Sequence, residues 1–180
     1  MAASPRFVWM DLEMTGLDPE RCVIVAIAAI ITGPDLEPLA EIERIVWQPE
    51  EALGRMSPFV RDMHTKNGLL DQIRASSTGL EDAEREIMSV ITQHCRYREG
   101  MLAGNSIHQD RRFLSKHMPA IEGYLHYRQL DVSSLKLLAQ TWYPGQLDFR
   151  KAKAHTALGD IRESIAELKF YREKMLIPAL

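Results

Sequence analysis

The strongest constraint on the fold is an unbroken apolar run at residues 23–31, with the sequence VIVAIAAII. The run is rich in β-branched residues and is bounded by Pro19 before it and by Gly33 and Pro34 after it. This composition favours a strand covered on both faces over a strand with one face in water. At nine residues, the run is far too short for a transmembrane helix. We therefore expect an interior strand in a sheet with helices on both sides.

Two more predicted strands, an apolar one at residues 7–10 and one at 39–47 with its apolar content at Ile42 and residues 45–47, are separated from this strand by short turns. Short turns leave no room for a crossover helix, which predicts an antiparallel meander of three strands. After residue 49 the chain alternates helical patterns with short apolar segments. We expect a single domain over residues 1–180, of the α/β class, with a mixed five-stranded sheet flanked by helices.

The second half of the chain contains several helical patterns. Thr78 and Glu81 have the spacing of a capping box, which predicts a helix start there. The helix is expected to end near Arg98, and its apolar face comprises Leu80, Ala83, Ile87, Val90 and Ile91. A strand is predicted at residues 101–105 and helices at 111–117 and 132–142. The last helix carries apolar residues at steps of three and four, namely Ala157, Ile161, Ile165, Leu168, Tyr171 and Met175.

The composition is that of a soluble globular protein, since 46% of the 180 residues are hydrophobic and 26% are charged. The formal net charge is −3, whereas proteins that hold long nucleic acids nonspecifically usually carry a basic excess. Any nucleic-acid substrate is therefore expected to be short or to be held at few phosphates. Cys22 and Cys95 form no C-x-x-C pair, which argues against a zinc ribbon or a disulfide scaffold. Without an apolar signal-peptide core at the N-terminus, a cytoplasmic location is expected.

Two carboxylates, Asp11 and Glu13, follow the first apolar strand at a spacing of two. Residues i and i+2 of a strand face the same side, so these like charges would lie side by side. Burying them together is costly unless protons or a cation neutralise them, and Mg²⁺ prefers carboxylate oxygens. A solvated strand end explains the same motif, so the metal site depends on further ligands elsewhere in the chain.

Two later acids fit a shared site. Asp110 lies between a predicted strand and a predicted helix, and Asp160 lies early in the last helix, five residues after His155. Four carboxylates could hold two divalent ions of the kind that serve phosphoryl transfer, and His155 could accept a proton from the attacking water. Taken singly, each residue has a plain alternative. Asp110 could cap a helix, Asp160 could favour a helix N-terminus, and His155 could be an ordinary loop residue.

The order of these residues resembles the motifs of the DEDDh 3′-to-5′ exonucleases. Longer blocks are similar to the oligoribonuclease branch of that family, and they are WMDLEMTGLDPER, MHT-x-x-GLL, GNSIHQDRRFL, HYRQLDVSSLK and DIRESIAELKFYRE. The resemblance runs along nearly the whole chain. It implies an RNase H-like fold, a homodimer, and hydrolysis of very short RNAs, dinucleotides above all, to nucleoside 5′-monophosphates.

The resemblance also implies roles for individual residues. Two Mg²⁺ or Mn²⁺ ions would be held by Asp11, Glu13, Asp110 and Asp160, with His155 as the general base. Leu17 and Phe59 would flank the bases. The 5′ phosphate would be capped by His64, Ser106 and Arg128, with Tyr127 contributed by the partner subunit, and an arginine is physically suited to a phosphate. From the residues alone, Phe59 and Tyr127 also fit ordinary core or interface packing.

One position departs from the family pattern. The second strand of the family usually contains a glutamate, whereas this chain has Ala26 there. That glutamate is not one of the four metal carboxylates, so hydrolysis is still expected. Two other functions stay open: a proofreading or trimming exonuclease that acts on longer DNA or RNA, and an inactive exonuclease fold that only binds nucleic acid. The cap residues argue against the first and the intact acids argue against the second.

Overall fold

The computed structural model describes residues 5–149 and 156–176, and these contain a five-stranded mixed sheet. Its strands are β1 (Arg6–Met14), β2 (Ile24–Thr32), β3 (Pro38–Ile45), β4 (Gly100–Gly104) and β5 (Gln129–Asp131). The spatial order is β3-β2-β1-β4-β5. The first three strands pair antiparallel, while β4 runs parallel to β1 and β5 runs parallel to β4. The predicted meander and the mixed five-stranded sheet are both confirmed.

The helices lie around this sheet. They are α1 (Glu50–Gly54), α2 (Pro58–Lys66), α3 (Leu69–Ala75), α4 (Leu80–His94), α5 (His108–His117), α6 (Pro119–Tyr124), α7 (Val132–Trp142) and α8 (Ala157–Met175). Apolar side chains of α4, α5 and α6 pack on one face of the sheet, and those of α7 and α8 pack on the other. Every residue of β2 is buried, as expected of a strand between two helical layers.

Some helix boundaries differ from the prediction. Thr78 does not cap α4: Gly79 occupies the N-cap and makes no side-chain capping bond. The backbone of Thr78 instead continues beside the end of β3, where its carbonyl accepts the N–H of Trp47 at 2.9 Å. Helix α4 ends at His94, four residues before the predicted end at Arg98, and α6 was not predicted at all.

The sheet places the candidate site at one edge. Because β1 and β4 are parallel, their carboxyl ends meet at the same edge, where functional groups of α/β proteins commonly gather. Asp11 and Glu13 alternate with buried Leu12 on β1, so they face the same side as Trp9, which packs under α7 and α8. Within residues 5–149 and 156–176, every helix is too short or too polar to span a bilayer.

Candidate active site

The first part of the site is built by two neighbouring strands. Asp11 is paired with Ala28 of β2, and Glu13 is paired with Ala26. The alanine side chains are small, so the space above them on this face is left to the carboxylates. The alternation predicted from the sequence is therefore present, with both acids on one face of β1.

Asp160 completes a cluster with these two acids. Asp11, Glu13 and Asp160 each present a possible ligand atom, and these three atoms lie within 4.8 Å of one another. The first turn of α8, which carries Asp160, is fixed by its N-cap Thr156, whose hydroxyl accepts the N–H of Gly159 at 3.2 Å. Asp160 is 149 positions from Asp11 and 147 from Glu13 in sequence, and the packing of α8 on the sheet brings the three acids into one group.

Asp110 lies beside this cluster. It is in the first turn of α5, which begins at His108, three residues earlier than predicted. Its Oδ1 accepts the backbone N–H of Leu12 at 3.0 Å, and the Asp110 side chain is almost completely buried. Since Leu12 separates Asp11 from Glu13, the carboxyl group of Asp110 is held next to both. All four acids predicted to bind metal therefore lie at one edge of the sheet.

Crowding and burial change the acidity of this group. Burial, and then the charges of Asp160, Asp110 and Glu43, raise the pKa of Glu13 from 4.5 to about 7. Burial raises the pKa of Asp110 from 3.8 to about 7, against the opposing effect of its hydrogen bonds to backbone N–H groups. Carboxyl groups that resist ionisation in this way are neutralised either by protons or by a cation.

The residues present fit a divalent metal centre. Oxygen ligands from three carboxylates converge within 4.8 Å, and hard cations such as Mg²⁺ and Mn²⁺ take ligands of this type. A zinc site of the structural kind would use cysteine or histidine, and among the described residues the group of converging ligands contains neither Cys22 nor Cys95. His155, the predicted general base, lies outside the described residues, directly before Thr156.

An apolar-walled cavity of about 590 Å³ opens beside Glu13. Its lining includes Leu17, Phe59 and Met63. Leu17 is 68% exposed and Phe59 is 77% exposed, so neither contributes to the core of this chain. Two exposed apolar side chains in the lining of a cavity next to the acids suit a planar, apolar-faced ligand such as a base.

The loop that carries Leu17 is closed by local hydrogen bonds. Thr15 and Val23 exchange two of them, one between backbone groups and one from the Val23 N–H to the Thr15 hydroxyl, both at 3.0 Å. Gly16 allows the close approach of the two sides, because a Cβ there would lie 2.7 Å from the Cys22 sulfur. Leu17 is thus presented by a closed loop directly after β1.

His64 has a structural environment. Its ring is completely buried, and its Nε2 lies 3.1 Å from the carbonyl oxygen of Met14. A carbonyl only accepts, so Nε2 carries the hydrogen, and burial lowers the pKa of His64, which favours the neutral ring. Its Nδ1 has no hydrogen-bond partner among the described residues. In this position His64 is bonded to Met14, the last residue of β1.

Ser106 is held in an unusual backbone conformation just after β4. Its φ of 51° lies in the left-handed region, and its N–H donates to Asp131 Oδ1 and Ser133 Oγ, both at 2.9 Å. Its hydroxyl is exposed and lies 3.2 Å from the Ser133 hydroxyl. Strain of this kind persists only where surrounding contacts fix it, and it is common at ligand sites.

A buried polar network connects this corner to α8. Asn105 Nδ2 donates to Ser164 Oγ at 2.8 Å and to Glu167 Oε2 at 3.0 Å, and its Oδ1 accepts from Ser133 Oγ at 3.2 Å. Ser164 Oγ in turn donates to the carbonyl of Asp160 at 2.8 Å. The segment that carries Ser106 is therefore bonded to the helix that carries Asp160.

Tyr127 and Arg128 lie at a different place from Ser106. Ser106 follows β4, whereas Arg128 precedes β5, and parallel pairing of these strands puts the two backbones at opposite ends. Tyr127 is 67% exposed, and the Arg128 guanidinium carbon lies 5.4 Å from the centre of its ring. Among the described residues, Tyr127 and Arg128 form no hydrogen bond or ion pair with Ser106 or with the acid cluster.

The sequence reasoning missed three residues that shape the site, and they are Glu43, Asn105 and Asp131. The alternation of charged and apolar residues along β3 was a usable signal for Glu43, because it puts Glu41 and Glu43 on one face. Asn105 and Asp131 follow or end short strands, and their long-range partners are set by packing that local patterns do not reveal.

Comparisons with known proteins identify the family. The sequence profile of the RNase_T exonuclease family matches residues 8–168. An oligoribonuclease of Francisella tularensis subsp. tularensis is 50% identical over 177 residues, covering 98% of this chain and 99% of the relative. An oligoribonuclease of Pseudomonas syringae pv. tomato is 48% identical over 179 residues, covering 99% of this chain and all of the relative.

Solved structures with the same fold include two forms of exonuclease I. The enzyme from Methylocaldum szegediense superposes with a TM-score of 0.68 at 20% identity, over 95% of this chain. The zinc-bound E. coli enzyme with single-stranded DNA gives a TM-score of 0.74 at 14% identity, over 96% of this chain. This chain spans 41% of the length of each, and the likeness confirms the RNase H-like fold. The chain belongs to the RNase_T exonuclease family, and its full-length relatives at about half identity place it among the oligoribonucleases.

Proposed function

We propose that this protein is a 3′-to-5′ exoribonuclease that hydrolyses very short RNAs, especially dinucleotides, to nucleoside 5′-monophosphates in the last step of RNA degradation. The observation that carries the proposal is the convergence of Asp11, Glu13 and Asp160 within 4.8 Å, beside a cavity flanked by exposed Leu17 and Phe59. The similarity to oligoribonucleases over 98% of the chain supports the same reading.

Asp11, Glu13, Asp110 and Asp160 would hold two divalent ions, Mg²⁺ or Mn²⁺. Two such metal ions, when bound, neutralise the charge of the phosphate and stabilise the attacking and leaving oxygens. His155 would accept a proton from the attacking water as the water oxygen bonds to phosphorus. The bond from phosphorus to the 3′ oxygen of the preceding nucleoside breaks, and that oxygen takes up a proton from solvent and leaves as a hydroxyl group.

Leu17 and Phe59 would hold the bases in the cavity next to Glu13. Their exposure supports this role, because side chains that are 68% and 77% exposed contribute little to the core. Aromatic and aliphatic contacts to base faces tolerate any sequence. The substrate would thus be selected by its size and its end groups rather than by its bases.

The preference for short substrates would come from capping of the 5′ phosphate. The exposed hydroxyl of Ser106 is suited to a phosphate, and so is the guanidinium of Arg128, whose side chain would have to extend along the 3 residues of β5 to reach the same phosphate. The net charge of −3 supports the same view, since one capped phosphate needs no long basic groove. For His64, buried beneath β1, the predicted phosphate contact stays a prediction.

The protein would act as a homodimer. Helix α7 exposes Leu137, Leu138 and Trp142, and Trp142 is 64% exposed. Such an apolar face is unusual on a monomer. A two-fold interface repeats the same surface on both subunits, so it could bring Tyr127 of one subunit to the site of the other. We further propose that residues 1–180 form a single exonuclease domain that works in the cytoplasm.

One assay tests this function. The protein is incubated with Mg²⁺ or Mn²⁺ and 5′-phosphorylated RNAs of graded length, and release of nucleoside monophosphates is followed. Faster cleavage of the dinucleotide than of longer RNAs is expected. Equal rates on long RNA or DNA would identify a trimming or proofreading exonuclease. Absence of cleavage with either metal would identify a nucleic-acid-binding module.

A further inference from the structure

Glu43 lies on the sheet face that carries Asp11 and Glu13, although it belongs to the edge strand β3 and not to β1. In the sheet register it is opposite Ala28, which is itself opposite Asp11. The three residues therefore form one row across β3, β2 and β1. Adjacent strands are about 4.8 Å apart, and the residue between Glu43 and Asp11 is an alanine, so this row has no long side chain between the two carboxylates.

Glu43 contacts the start of the helix that carries Asp160. Its Oε1 accepts the backbone N–H of Leu158 at 3.4 Å. Leu158 is in the first turn of α8, where backbone N–H groups lack a partner within the helix. The N-cap hydroxyl of Thr156 accepts a different N–H, that of Gly159. The first turn of α8 is thus held by one local side chain and by one side chain from the edge strand.

Glu43 also borders the acid cluster directly. A small cavity of about 60 Å³ separates the sheet from α3 and α8, and its lining includes Glu13, Ala26, Glu43, Asn67 and Thr156. The residue of β2 that lines this cavity is Ala26, and its short side chain takes up little of the space. The charge of Glu43 is close enough to affect Glu13, since it is one of the causes that raise the pKa of Glu13.

We propose that Glu43 is a positioning residue of the active site, which holds the first turn of α8, and with it Asp160, in register with Asp11 and Glu13. The role rests on the proposed function of the acid cluster as a metal centre. Groups that orient metal ligands without touching the metal commonly change metal affinity or activity by about 10- to 100-fold when they are removed.

The chain offers a matched control on the same strand. Glu41 lies two residues before Glu43 and faces the same helix, but its carboxylate binds the side chain of Arg162 at 2.9 Å. This ion pair is exposed and lies one turn beyond the start of α8. Replacing Glu41 therefore removes the same charge from the same strand without freeing a backbone N–H of the first turn.

The experiment compares Glu43→Ala, Glu43→Gln and Glu41→Ala in the full-length protein. Binding of Mg²⁺ or Mn²⁺ is measured by calorimetry, exchange of the Leu158 amide by NMR, and dinucleotide hydrolysis by kcat and KM. For Glu43→Ala we expect metal affinity and kcat to fall about 10-fold, with faster exchange at Leu158 and little change in KM. Glu43→Gln retains an acceptor oxygen, so metal affinity and kcat are expected to return to within about 3-fold of wild type. Glu41→Ala is expected to match wild type.

Three results would overturn the proposal. The first is equal loss in Glu43→Ala and Glu41→Ala, which would indicate general destabilisation. The second is a Glu43→Gln variant as impaired as Glu43→Ala, which would assign the effect to charge. The third is unchanged exchange at Leu158. Metal affinity and amide exchange do not require turnover, so failure of the wild type to cleave dinucleotides would refute the proposed substrate while leaving Glu43 testable.

Discussion

Asp110 is bonded to Leu12, the residue that separates Asp11 from Glu13 on β1. Its Oδ1 accepts the Leu12 N–H at 3.0 Å, three residues beyond the last β1–β4 pair, Trp9 with Ala103. A side chain of α5 therefore takes over the bonding of β1 where the pairing with β4 has ended. The same carboxyl group has a structural partner and a place among the acids.

This double role predicts different outcomes for two substitutions of Asp110. Asp110→Asn keeps an acceptor oxygen for Leu12 and cannot ionise, so melting temperature is expected to be equal to or above that of the wild type while kcat falls by at least about 100-fold. Asp110→Ala removes the acceptor as well and should also cost about 1–3 kcal/mol of stability. Dinucleotide hydrolysis and thermal unfolding measure both effects. Retained turnover in Asp110→Asn would remove Asp110 from the site.

The raised pKa values of Glu13 and Asp110 predict how the free energy of unfolding depends on pH and on bound metal. In the metal-free fold the pKa values of Glu13 and Asp110 are about 7, against 4.5 and 3.8 as ordinary values. At pH values between the ordinary and the raised pKa values of these two groups, the folded state binds more protons than the unfolded state. The free energy of unfolding therefore falls as pH rises from about 4 to 7 and stays low above that range. Acidic pH favours the metal-free fold as far as these two groups are concerned.

Metal ions compete with these protons, so their effect on stability is expected to grow with pH. The rise in melting temperature on adding MgCl₂ should be larger near about pH 8 than near about pH 5. Glu13→Gln cannot ionise, and at about pH 8 it is expected to stabilise the metal-free protein while abolishing turnover. Thermal unfolding with and without Mg²⁺ checks both statements. A less stable Glu13→Gln protein would contradict the assigned cause.

The cavity beside Glu13 predicts substitutions that affect binding without affecting folding. Leu17→Ala and Phe59→Ala remove exposed side chains, so stability is expected to change by no more than about 0.5 kcal/mol. Loss of one base contact should raise KM for a dinucleotide about 10-fold. Leu39→Ala is the control, because Leu39 is 48% exposed and lies on β3 away from the cavity. An equal rise in KM for the control would discredit the assignment.

The 5′ phosphate cap predicts a substrate-dependent effect of Arg128. Arg128→Ala is expected to raise KM about 10-fold or more for dinucleotides that carry a 5′ phosphate, because a charge-assisted contact is lost. Dinucleotides without that phosphate should be cleaved as by the wild type. The comparison needs only kcat and KM for the two substrates. Equal losses on both would show that Arg128 acts elsewhere.

Exchange of residues between subunits is testable by complementation. If Tyr127 serves the partner's site, a mixed dimer of Asp110→Asn and Tyr127→Ala subunits has one intact site. An equal mixture after subunit exchange should then recover about a quarter of wild-type activity. Trp142→Glu, which puts a charge on the exposed face of α7, is expected to give inactive monomers. Lack of recovery in a mixture shown to contain mixed dimers would place Tyr127 in its own site.

Much of the sheet was predictable because its strands have strong local signals. The apolar run that became β2 was bounded by proline and glycine, and the spacing of Asp11 and Glu13 fixed their common face. The last helix was likewise predictable from its apolar steps, and its start placed Asp160 in the first turn. These features depend on periodicity, which a single sequence displays.

Other features depend on contacts between distant segments. Thr78 has the local form of a cap, yet its backbone is bonded to Trp47 because β3 ends there. Glu43 is 115 residues from its hydrogen-bond partner Leu158, and no local sequence pattern predicts that hydrogen bond. The local sequence does not predict that the backbones of Arg128 and Ser106 are separated. This separation follows from the parallel pairing of β4 and β5.

The hydrogen bonds made by Asn105 connect two parts of the candidate site. Asn105 joins the corner of Ser106 to Ser164, and Ser164 joins the carbonyl of Asp160. If a terminal phosphate binds at Ser106 and the phosphodiester binds at the acids, as proposed, these hydrogen bonds set the distance between the two positions. Only an RNA whose length matches that distance would then occupy both positions at once.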